Sequence, residues 1–260
     1  MNTAESQYIS KNTDFFYNER DQLTRESATI VLERVQQAFG PFSSVVDVGC
    51  GVGTWLDVAS KLGATSIKGF EGEWIKDNPS KVIPEDCLEI IDLEENWQLK
   101  GKYSLGICLE VAEHLTAAAG NQLVNNLCDS CELVLFSAAI PNQGGKGHIN
   151  EQWPTYWQYL FKGKGFVAVD CIRPAIWDNE QIPWWYRQNC VVFCNENRFA
   201  HYISRLMTNA IDLTPPLLSV RLPGQERTII RPINPCPNIR STIRHLFRQL
   251  GAKTRRIFGM

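Results

Sequence analysis

Three glycines at alternate positions follow an apolar run and an acidic residue in segment 45–54, which has the sequence VVDVGCGVGT. Glycine lets the backbone adopt dihedral angles that strain other residues, and it lets a ligand approach the backbone closely. A helical pattern begins directly after the glycines, and a helix N-terminus presents free N–H groups to polar or anionic ligands. The D-x-G-x-G-x-G spacing therefore predicts a ligand site at a strand–turn–helix junction. It differs from the G-x-G-x-x-G spacing of dinucleotide sites.

Acidic residues stand at the predicted ends of the first four strands. They are Asp47, Glu71, Asp92 and Glu110. Ligands of open α/β sheets bind beyond the carboxyl ends of the strands, so we expect the four carboxylates along one rim of the sheet. Because a single acid at such a place can merely cap the next helix, the prediction depends on the whole set together with the glycines.

Short apolar strands alternate with helical patterns through the first half of the chain, which predicts a mostly parallel, doubly wound α/β sheet. The predicted strands are Val45–Val48, Ser66–Phe70, Glu89–Ile91, Leu105–Leu109, Leu133–Ser137, Phe166–Ile172 and Cys190–Cys194. The predicted helices are 22–39, 56–62, 120–128 and 153–162. The last two strands are close together in the chain and are expected to pair antiparallel at the sheet edge.

The glycine segment resembles motif I of the class I S-adenosylmethionine (SAM) methyltransferases. Residues 110–115, EVAEHL, resemble the LEVxEHL string of many small-molecule methyltransferases in that superfamily. The resemblance covers about residues 25–195. It implies a Rossmann-like, mostly parallel seven-stranded sheet with helices on both faces and an antiparallel last strand. It also implies SAM as the cofactor and methyl transfer as the reaction.

The resemblance assigns cofactor binding to a set of residues at the strand ends. They are Asp47, Gly49, Cys50, Gly51, Gly53, Glu71, Asp92, Leu93, Glu110 and Val111. In this assignment Glu71 binds the ribose hydroxyls, with Glu73 as the alternative, and Asp92 and Leu93 face the adenine. Asp47 orients the glycine turn and approaches the methionine amine. Glu110 and Val111 line the methyl-donor pocket.

The loop after the fifth strand, residues 141–153, has the sequence PNQGGKGHINEQW. Histidine is the side chain that most often serves as a general base in enzymes, and His148 is the candidate general base for a hydroxyl acceptor. His114, beside Glu113 at a predicted helix start, is the second catalytic candidate. Both histidines can instead have structural or positioning roles.

Candidate acceptor-binding residues lie in this loop and in the aromatic segment 184–189, WWYRQN. They are Asn150, Glu151, Gln152, Trp153, Trp184 and Tyr186. Aromatic rings with polar neighbours suit a ring-like or glycan acceptor, although they can also cover the sheet edge. Together the two segments resemble a bacterial branch of SAM methyltransferases linked to surface-glycan or natural-product pathways.

The composition of the 260-residue chain, 44% hydrophobic and 21% charged with a net charge of −2, is typical of a globular protein. Nine cysteines without framework spacing and an N-terminal segment without a signal-peptide pattern favour a cytoplasmic protein with free thiols. No apolar run is long enough to predict a membrane-spanning helix. The four histidines are far apart in sequence and predict no metal site, although folding could bring two together.

We predict an N-terminal arm over residues 1–24, a SAM-dependent methyltransferase domain over 25–212 and a proline-rich basic extension over 213–260. The extension carries nine arginines and lysines against one acid. Apolar residues at helical spacing over 239–250 predict a basic amphipathic helix. It is expected to pack on its own domain, a second copy, another partner or a membrane surface, in a monomer or homodimer.

The sequence therefore predicts SAM-dependent methyl transfer to an oxygen of a small-molecule, sugar or peptide acceptor, without a specific nucleic-acid partner. Two alternatives stay open. One is methylation of a carboxylate, which is ionised at neutral pH and needs no base. The other is a SAM-fold binding module without catalysis. A nicotinamide-dependent reductase is disfavoured by the glycine spacing.

Overall fold

The computed structural model describes residues 23–76 and 78–207. The predicted N-terminal arm, apart from its last two residues, and the predicted basic extension with its amphipathic helix lie outside the described residues. Within the described ranges, no helix is both long enough and apolar enough to cross a bilayer. The eight cysteines in those ranges are free thiols.

The chain forms seven strands surrounded by helices. The strands are β1 Ser44–Val48, β2 Ser66–Glu71, β3 Leu88–Ile90, β4 Leu105–Leu109, β5 Leu133–Ser137, β6 Phe166–Val169 and β7 Val191–Asn195. The helices are α1 over residues 23–39, α2 Thr54–Lys61, α3 Ala117–Ser130, α4 Pro154–Lys162, α5 Arg173–Ile176, α6 Trp184–Asn189 and α7 Ala200–Met207. Single 3-10 turns follow β2 at Glu73–Ile75, precede β3 at Glu85–Cys87, and follow β4 at Ala112–His114.

The strands form one sheet in the order β3-β2-β1-β4-β5-β7-β6. The first five strands are parallel, and β7 runs antiparallel to both β5 and β6. The chain moves outward from β1 to β3 and then returns to β4 on the other side of β1. Such a reversal opens a crevice at the carboxyl ends of the two central strands, where α/β sheets bind ligands.

Alternating side chains of β1 enter two separate apolar cores. Val45 packs in a core with residues of α1 and α2, and Val46 and Val48 pack in a second core with residues of α3 and α4. The helices therefore cover both faces of the sheet, which is why the central strands are apolar on both sides. The predicted fold class, including the antiparallel last strand, is confirmed.

The structure differs from the sequence predictions in several places. The strand predicted over Phe166–Ile172 ends at Val169, because the chain turns there into α5. The segment 184–189 forms α6, which the sequence analysis did not predict. The acid Asp92 lies two residues beyond the end of β3, and Asp47 lies inside β1, whereas Glu71 ends β2 as predicted.

Replacing Gly49 with alanine is expected to destabilise the fold by about 3 kcal/mol, because two costs add. Gly49 has a φ of 80°, where an L-residue costs about 1–2 kcal/mol. A Cβ atom there would overlap Val111, and overpacking costs about 1–3 kcal/mol. Urea unfolding measures the change. Gly63→Ala is the control, since Gly63 has a φ of 107° with no atom within 4 Å of the added Cβ. Equal losses of unfolding free energy in the two variants would contradict the contribution assigned to overlap with Val111.

Candidate active site

The turn between β1 and α2 lies at the carboxyl end of the central strand. The N–H groups of Gly49 and Cys50 both donate to the carbonyl of Phe70, at 2.8 and 3.1 Å, which fastens the turn to β2. Gly51 has a φ of 55°, and a Cβ atom added there would meet no atom within 4 Å. The middle of the turn therefore presents open backbone toward the space above the sheet.

Glu71 holds the turn from the neighbouring strand. Its Oε2 accepts a hydrogen bond from the N–H of Gly51 at 2.7 Å. Its Oε1 accepts from the N–H of Gly72 at 2.8 Å and from Nε1 of Trp74 at 3.0 Å. Three donors fix the carboxylate beside the glycine turn, whereas Glu73 points to solvent and pairs with Lys76. Of the two candidates for the second strand end, Glu71 is the one at the crevice.

Asp47 is almost completely buried beneath the turn. Burial raises the pKa of its carboxyl well above the ordinary value, and the charge of Glu71 raises it further. The same burial, with the charges of Asp47 and Glu71, raises the pKa of the Cys50 thiol. Cys50 therefore stays protonated and packs as an apolar side chain in the core.

Asp92 and Leu93 follow β3 on the outer side of the crevice. Asp92 is exposed, and its Oδ1 accepts a hydrogen bond from the N–H of Glu94 at 2.9 Å. Leu93 is half-buried against the apolar core on the α3 side of the sheet. This pair offers a carboxylate in solvent and an adjoining apolar surface.

Glu110 follows β4 directly, and its backbone has a φ of 55°, which is uncommon for a residue other than glycine. Its N–H donates to the carbonyl of Ser137 at 3.0 Å. Its two carboxylate oxygens accept hydrogen bonds from Nε2 of Gln143 and Nδ2 of Asn189, each at 3.0 Å. Strained backbone of this kind is concentrated at functional sites, and here a polar network holds it. Val111, the next residue, covers Gly49.

His148 is oriented by Glu151, its neighbour in the same loop. Nδ1 of His148 lies 2.9 Å from Oε1 of Glu151, and the histidine side chain is only 12% exposed. Because an ionised carboxylate can only accept a hydrogen bond, Nδ1 carries the proton and Nε2 of the neutral ring has a free lone pair. Glu151 also accepts from the N–H groups of Asn142 and Gly144, at 2.8 and 3.0 Å, which ties the whole loop to this carboxylate.

His114 lies against His148, with ring centroids 4.8 Å apart and nearly perpendicular planes. Nδ1 of His114 is 3.2 Å from the carbonyl of Gly147. The carbonyl of Glu113 accepts from the N–H groups of Ile149 and Asn150, at 2.9 and 3.0 Å, so the turn after β4 and the 141–153 loop are joined. Folding thus brings together two histidines that are far apart in sequence.

The Glu113 side chain is completely buried beside this pair. Burial, followed by the charge of Glu110, raises the pKa of the Glu113 carboxyl to about 9. Neither carboxylate oxygen of Glu113 has a well-aligned hydrogen-bond donor among the described residues. The group is therefore neutral at pH 7 when nothing is bound beside it.

The predicted acceptor-binding residues of the 141–153 loop differ in exposure to solvent. Asn150 is buried, and its side chain bonds within the loop, where Oδ1 accepts from Nε2 of Gln152 at 3.0 Å. Trp153 is 40% exposed, and Ile149, which precedes Asn150 in the chain, is 66% exposed, so both present apolar surface on the loop. The loop thus combines an internal polar support with an exposed apolar edge.

The aromatic residues of α6 lie on the other side of Glu110. Tyr186 packs edge-on against Trp55 of α2, with centroids 5.5 Å apart, and burial raises the pKa of its hydroxyl. Trp184 packs edge-on against Trp185 at 5.8 Å. Asn189, at the end of the same helix, reaches Glu110. Asn189 and Gln143 have no local sequence signal for this network, since both lie far from Glu110 in the chain.

For the methyl transfer that the sequence predicts, replacing Gly145 with alanine is expected to slow the reaction about 100-fold without weakening binding of the predicted cofactor. A Cβ atom at Gly145 would overlap the His148 ring at Nε2 and Cε1, and a displacement of about 1 Å in a reacting group costs about that factor. Steady-state kcat and calorimetry with S-adenosylhomocysteine measure the two effects. Gly144→Ala adds a Cβ with no atom within 4 Å and should slow the reaction less. A kcat for Gly145→Ala equal to that of the parent chain would contradict the expected displacement.

No protein-family model matches the chain, and no curated protein matches it in sequence. Solved structures match it in fold. DesVI of Streptomyces venezuelae is 15% identical, with a TM-score of 0.55 and a match covering 72% of this chain and 98% of DesVI. The sugar N-methyltransferase KedS8 of Streptoalloteichus is 12% identical, with a TM-score of 0.54 and coverage of 70% and 92%.

SAM-bound CalS10 of Micromonospora echinaspora, an amino pentose methyltransferase, is 13% identical to this chain. Its TM-score is 0.51, and the match covers 69% of this chain and 96% of CalS10. These matches span more than nine-tenths of each solved chain. The chain therefore has the fold of the class I SAM-dependent methyltransferases.

Proposed function

We propose that the chain binds SAM in the crevice above the glycine turn and transfers its methyl group to a hydroxyl of a small-molecule, sugar or peptide acceptor. The fit of the crevice to this cofactor is supported by Gly51, where the backbone is open, and by Glu71, whose carboxylate is fixed beside it. SAM, when bound, supplies a methyl group made electrophilic by the positive charge on sulfur.

In this proposal different residues bind different parts of the cofactor. Glu71 accepts hydrogen bonds from the ribose hydroxyls, and Asp92 with Leu93 meets the adenine. Asp47, Gly49, Cys50, Gly51 and Gly53 form the turn beside the methionine part. Glu110 and Val111 border the methyl-donor side, where the network through Gln143 and Asn189 keeps the Glu110 carboxylate in place.

The single observation that carries the oxygen assignment is the His148–Glu151 pair. Its hydrogen bond leaves the Nε2 lone pair of His148 free to accept the proton of a hydroxyl as the new bond forms. Glu151 stabilises the imidazolium that results. His114 packs against His148, and the same loop exposes the side chains of Ile149 and Trp153, which supports an acceptor with an apolar or ring-shaped face.

An amino-sugar nitrogen is the second candidate target. CalS10 is described as an amino pentose methyltransferase and KedS8 as a sugar N-methyltransferase, and both share this fold. The same lone pair of His148 can remove a proton from a sugar ammonium group before the nitrogen attacks.

Two measurements test the proposal. Calorimetry with the full chain should detect binding of S-adenosylhomocysteine, and absence of binding at millimolar ligand would overturn the cofactor assignment. Release of S-adenosylhomocysteine from SAM should then be measured over matched panels of hydroxylated sugars, amino sugars and sugar acids. Turnover confined to the hydroxylated panel supports the oxygen target, and turnover confined to the amino sugars or acids overturns it.

A further inference from the structure

We propose that Glu113, His114 and His148 bind one divalent transition-metal cation that holds the hydroxyl of the acceptor. One donor atom from each of these residues lies within 4.8 Å of the other two. Ligands at about 2.1 Å from a shared cation are about 3–4.2 Å apart, so small side-chain movements complete the site. This inference rests on the proposed methyl transfer and gives His148 a second function.

The hydrogen bonds made by Nδ1 of each histidine leave Nε2 available to bind a cation. A carbonyl oxygen and a carboxylate only accept hydrogen bonds, so Nδ1 of His114 donates to Gly147 and Nδ1 of His148 donates to Glu151. Each neutral ring therefore has its lone pair on Nε2. Histidines that bind metals in proteins are commonly oriented this way, with the second nitrogen bonded to a carbonyl or a carboxylate.

Glu113 supplies an independent observation. Its side chain has 0% exposure, and its oxygens have only poorly aligned contacts, with the N–H groups of Glu113 and Ala139 and with the carboxyl of Glu110. Leaving buried acceptors unsatisfied costs about 1–3 kcal/mol or more, so such a group needs an explanation. A cation between Glu113 and the two imidazoles would satisfy the carboxylate.

The three residues are held together by the backbone. The carbonyl of Glu113 accepts from the N–H groups of Ile149 and Asn150, so the loop with His148 is fixed to the turn with His114. A site whose ligands are already positioned loses little entropy when the cation binds. Two imidazoles and one carboxylate favour zinc, iron(II), cobalt(II) or manganese(II).

Three protein ligands leave further positions for an oxygen of the acceptor. Coordination lowers the pKa of that hydroxyl, and its proton passes to solvent water while the oxygen keeps the electron pair. The oxygen then bonds to the methyl carbon as the carbon–sulfur bond breaks, and sulfur takes that electron pair. With the cation bound, Nε2 of His148 is a ligand, so the cation replaces it in activating the hydroxyl.

The test uses cobalt(II) chloride added to the full chain after removal of bound metal with a chelator. Wild type is expected to bind one equivalent of cobalt, with visible absorption bands that report nitrogen and oxygen ligands. His114→Ala and the nearly isosteric Glu113→Gln are each expected to weaken binding at least about 100-fold. The control is His201→Ala, because His201 is an exposed histidine on α7, outside the cluster.

No binding by wild type, or equal affinity in wild type and all three variants, would overturn the site, since the second result means adventitious surface binding. Circular dichroism verifies that each variant is folded, and Glu113→Gln keeps the side-chain size but cannot ionise to bind the cation as a carboxylate. The chelated protein should still bind S-adenosylhomocysteine. Failure of wild type to bind cobalt, with its S-adenosylhomocysteine binding intact, therefore overturns only the cation site, whereas failure of wild type to bind S-adenosylhomocysteine overturns the proposed function.

Discussion

Replacing Glu71 with alanine is expected to weaken the binding of S-adenosylhomocysteine about 100-fold. In the proposed complex the carboxylate accepts hydrogen bonds from both ribose hydroxyls, and a hydrogen bond to a charged group contributes about 1.5–3 kcal/mol. The loss of two such bonds is partly offset by water, so a net loss of about 3 kcal/mol, or about 100-fold in Kd, is a reasonable expectation. Isothermal titration calorimetry measures the Kd directly.

The control for this experiment is Glu73→Ala, two residues further along the chain. Glu73 is 75% exposed and pairs on the surface with Lys76, so its removal should leave the Kd unchanged within about twofold. The unfolding midpoint of Glu71→Ala needs to be measured as well, because Glu71 also accepts from Gly51, Gly72 and Trp74. If the Kd for S-adenosylhomocysteine is unchanged in Glu71→Ala but increased in Glu73→Ala, Glu73 binds the ribose and the assignment to Glu71 is wrong.

The parts of the site that sequence predicted are those encoded by local pattern. The strand, the turn and the helix N-terminus around Gly51 are contiguous in the chain, so apolar patterning and glycine spacing locate them together. Glu71 was predictable for a related reason, since the end of a parallel strand fixes the rim on which its side chain lies. The position of that carboxylate beside Gly51, at 2.7 Å, follows from the pairing of β1 with β2.

The polar network around Glu110 was not predictable in the same way. Gln143 and Asn189 are 33 and 79 residues from Glu110 in the chain, and their contacts depend on how β5 and β7 meet. The helix that ends at Asn189 was missed because its aromatic residues have no helical apolar period. A long-range network of this kind has no local sequence signal.

The histidine pair is a second case of long-range assembly. His114 lies in the turn after β4, and His148 lies in the loop after β5, with no spacing that marks a metal site. Because β4 and β5 are parallel neighbours, their carboxyl ends are adjacent and the two following segments meet. The hydrogen bonds from Ile149 and Asn150 to Glu113 then set which residues touch.

Replacing His148 with alanine is expected to lower kcat for a hydroxyl acceptor about 10²–10⁴-fold, the usual contribution of a positioned general base. The Kd for S-adenosylhomocysteine should stay unchanged, because the described neighbours of the His148 ring are Glu151, His114 and Gly145, none of which belongs to the glycine turn. Single-turnover release of S-adenosylhomocysteine, measured with saturating SAM, separates the chemical step from binding.

Glu151→Gln tests whether kcat for a hydroxyl acceptor depends on the orientation of the His148 ring. Glutamine keeps the length of the side chain but can donate to Nδ1 of His148 as well as accept from it, so the correct tautomer is no longer fixed. We expect a smaller fall in kcat than for His148→Ala, with a shift of the pH–rate profile that loss of packing alone would not produce. His201→Ala, on α7, is the control for loss of a histidine.

The size of the fall in kcat for His148→Ala also distinguishes a hydroxyl acceptor from a carboxylate acceptor. A carboxylate is ionised at neutral pH and has no proton for His148 to remove. A fall in kcat of less than about tenfold, with Kd unchanged and the protein folded, would contradict base catalysis and favour a carboxylate acceptor methylated by proximity alone. A fall of 10² or more, together with the pH–rate shift expected for Glu151→Gln, supports a proton that leaves the acceptor in or before the transition state, as it does from hydroxyls and protonated amines.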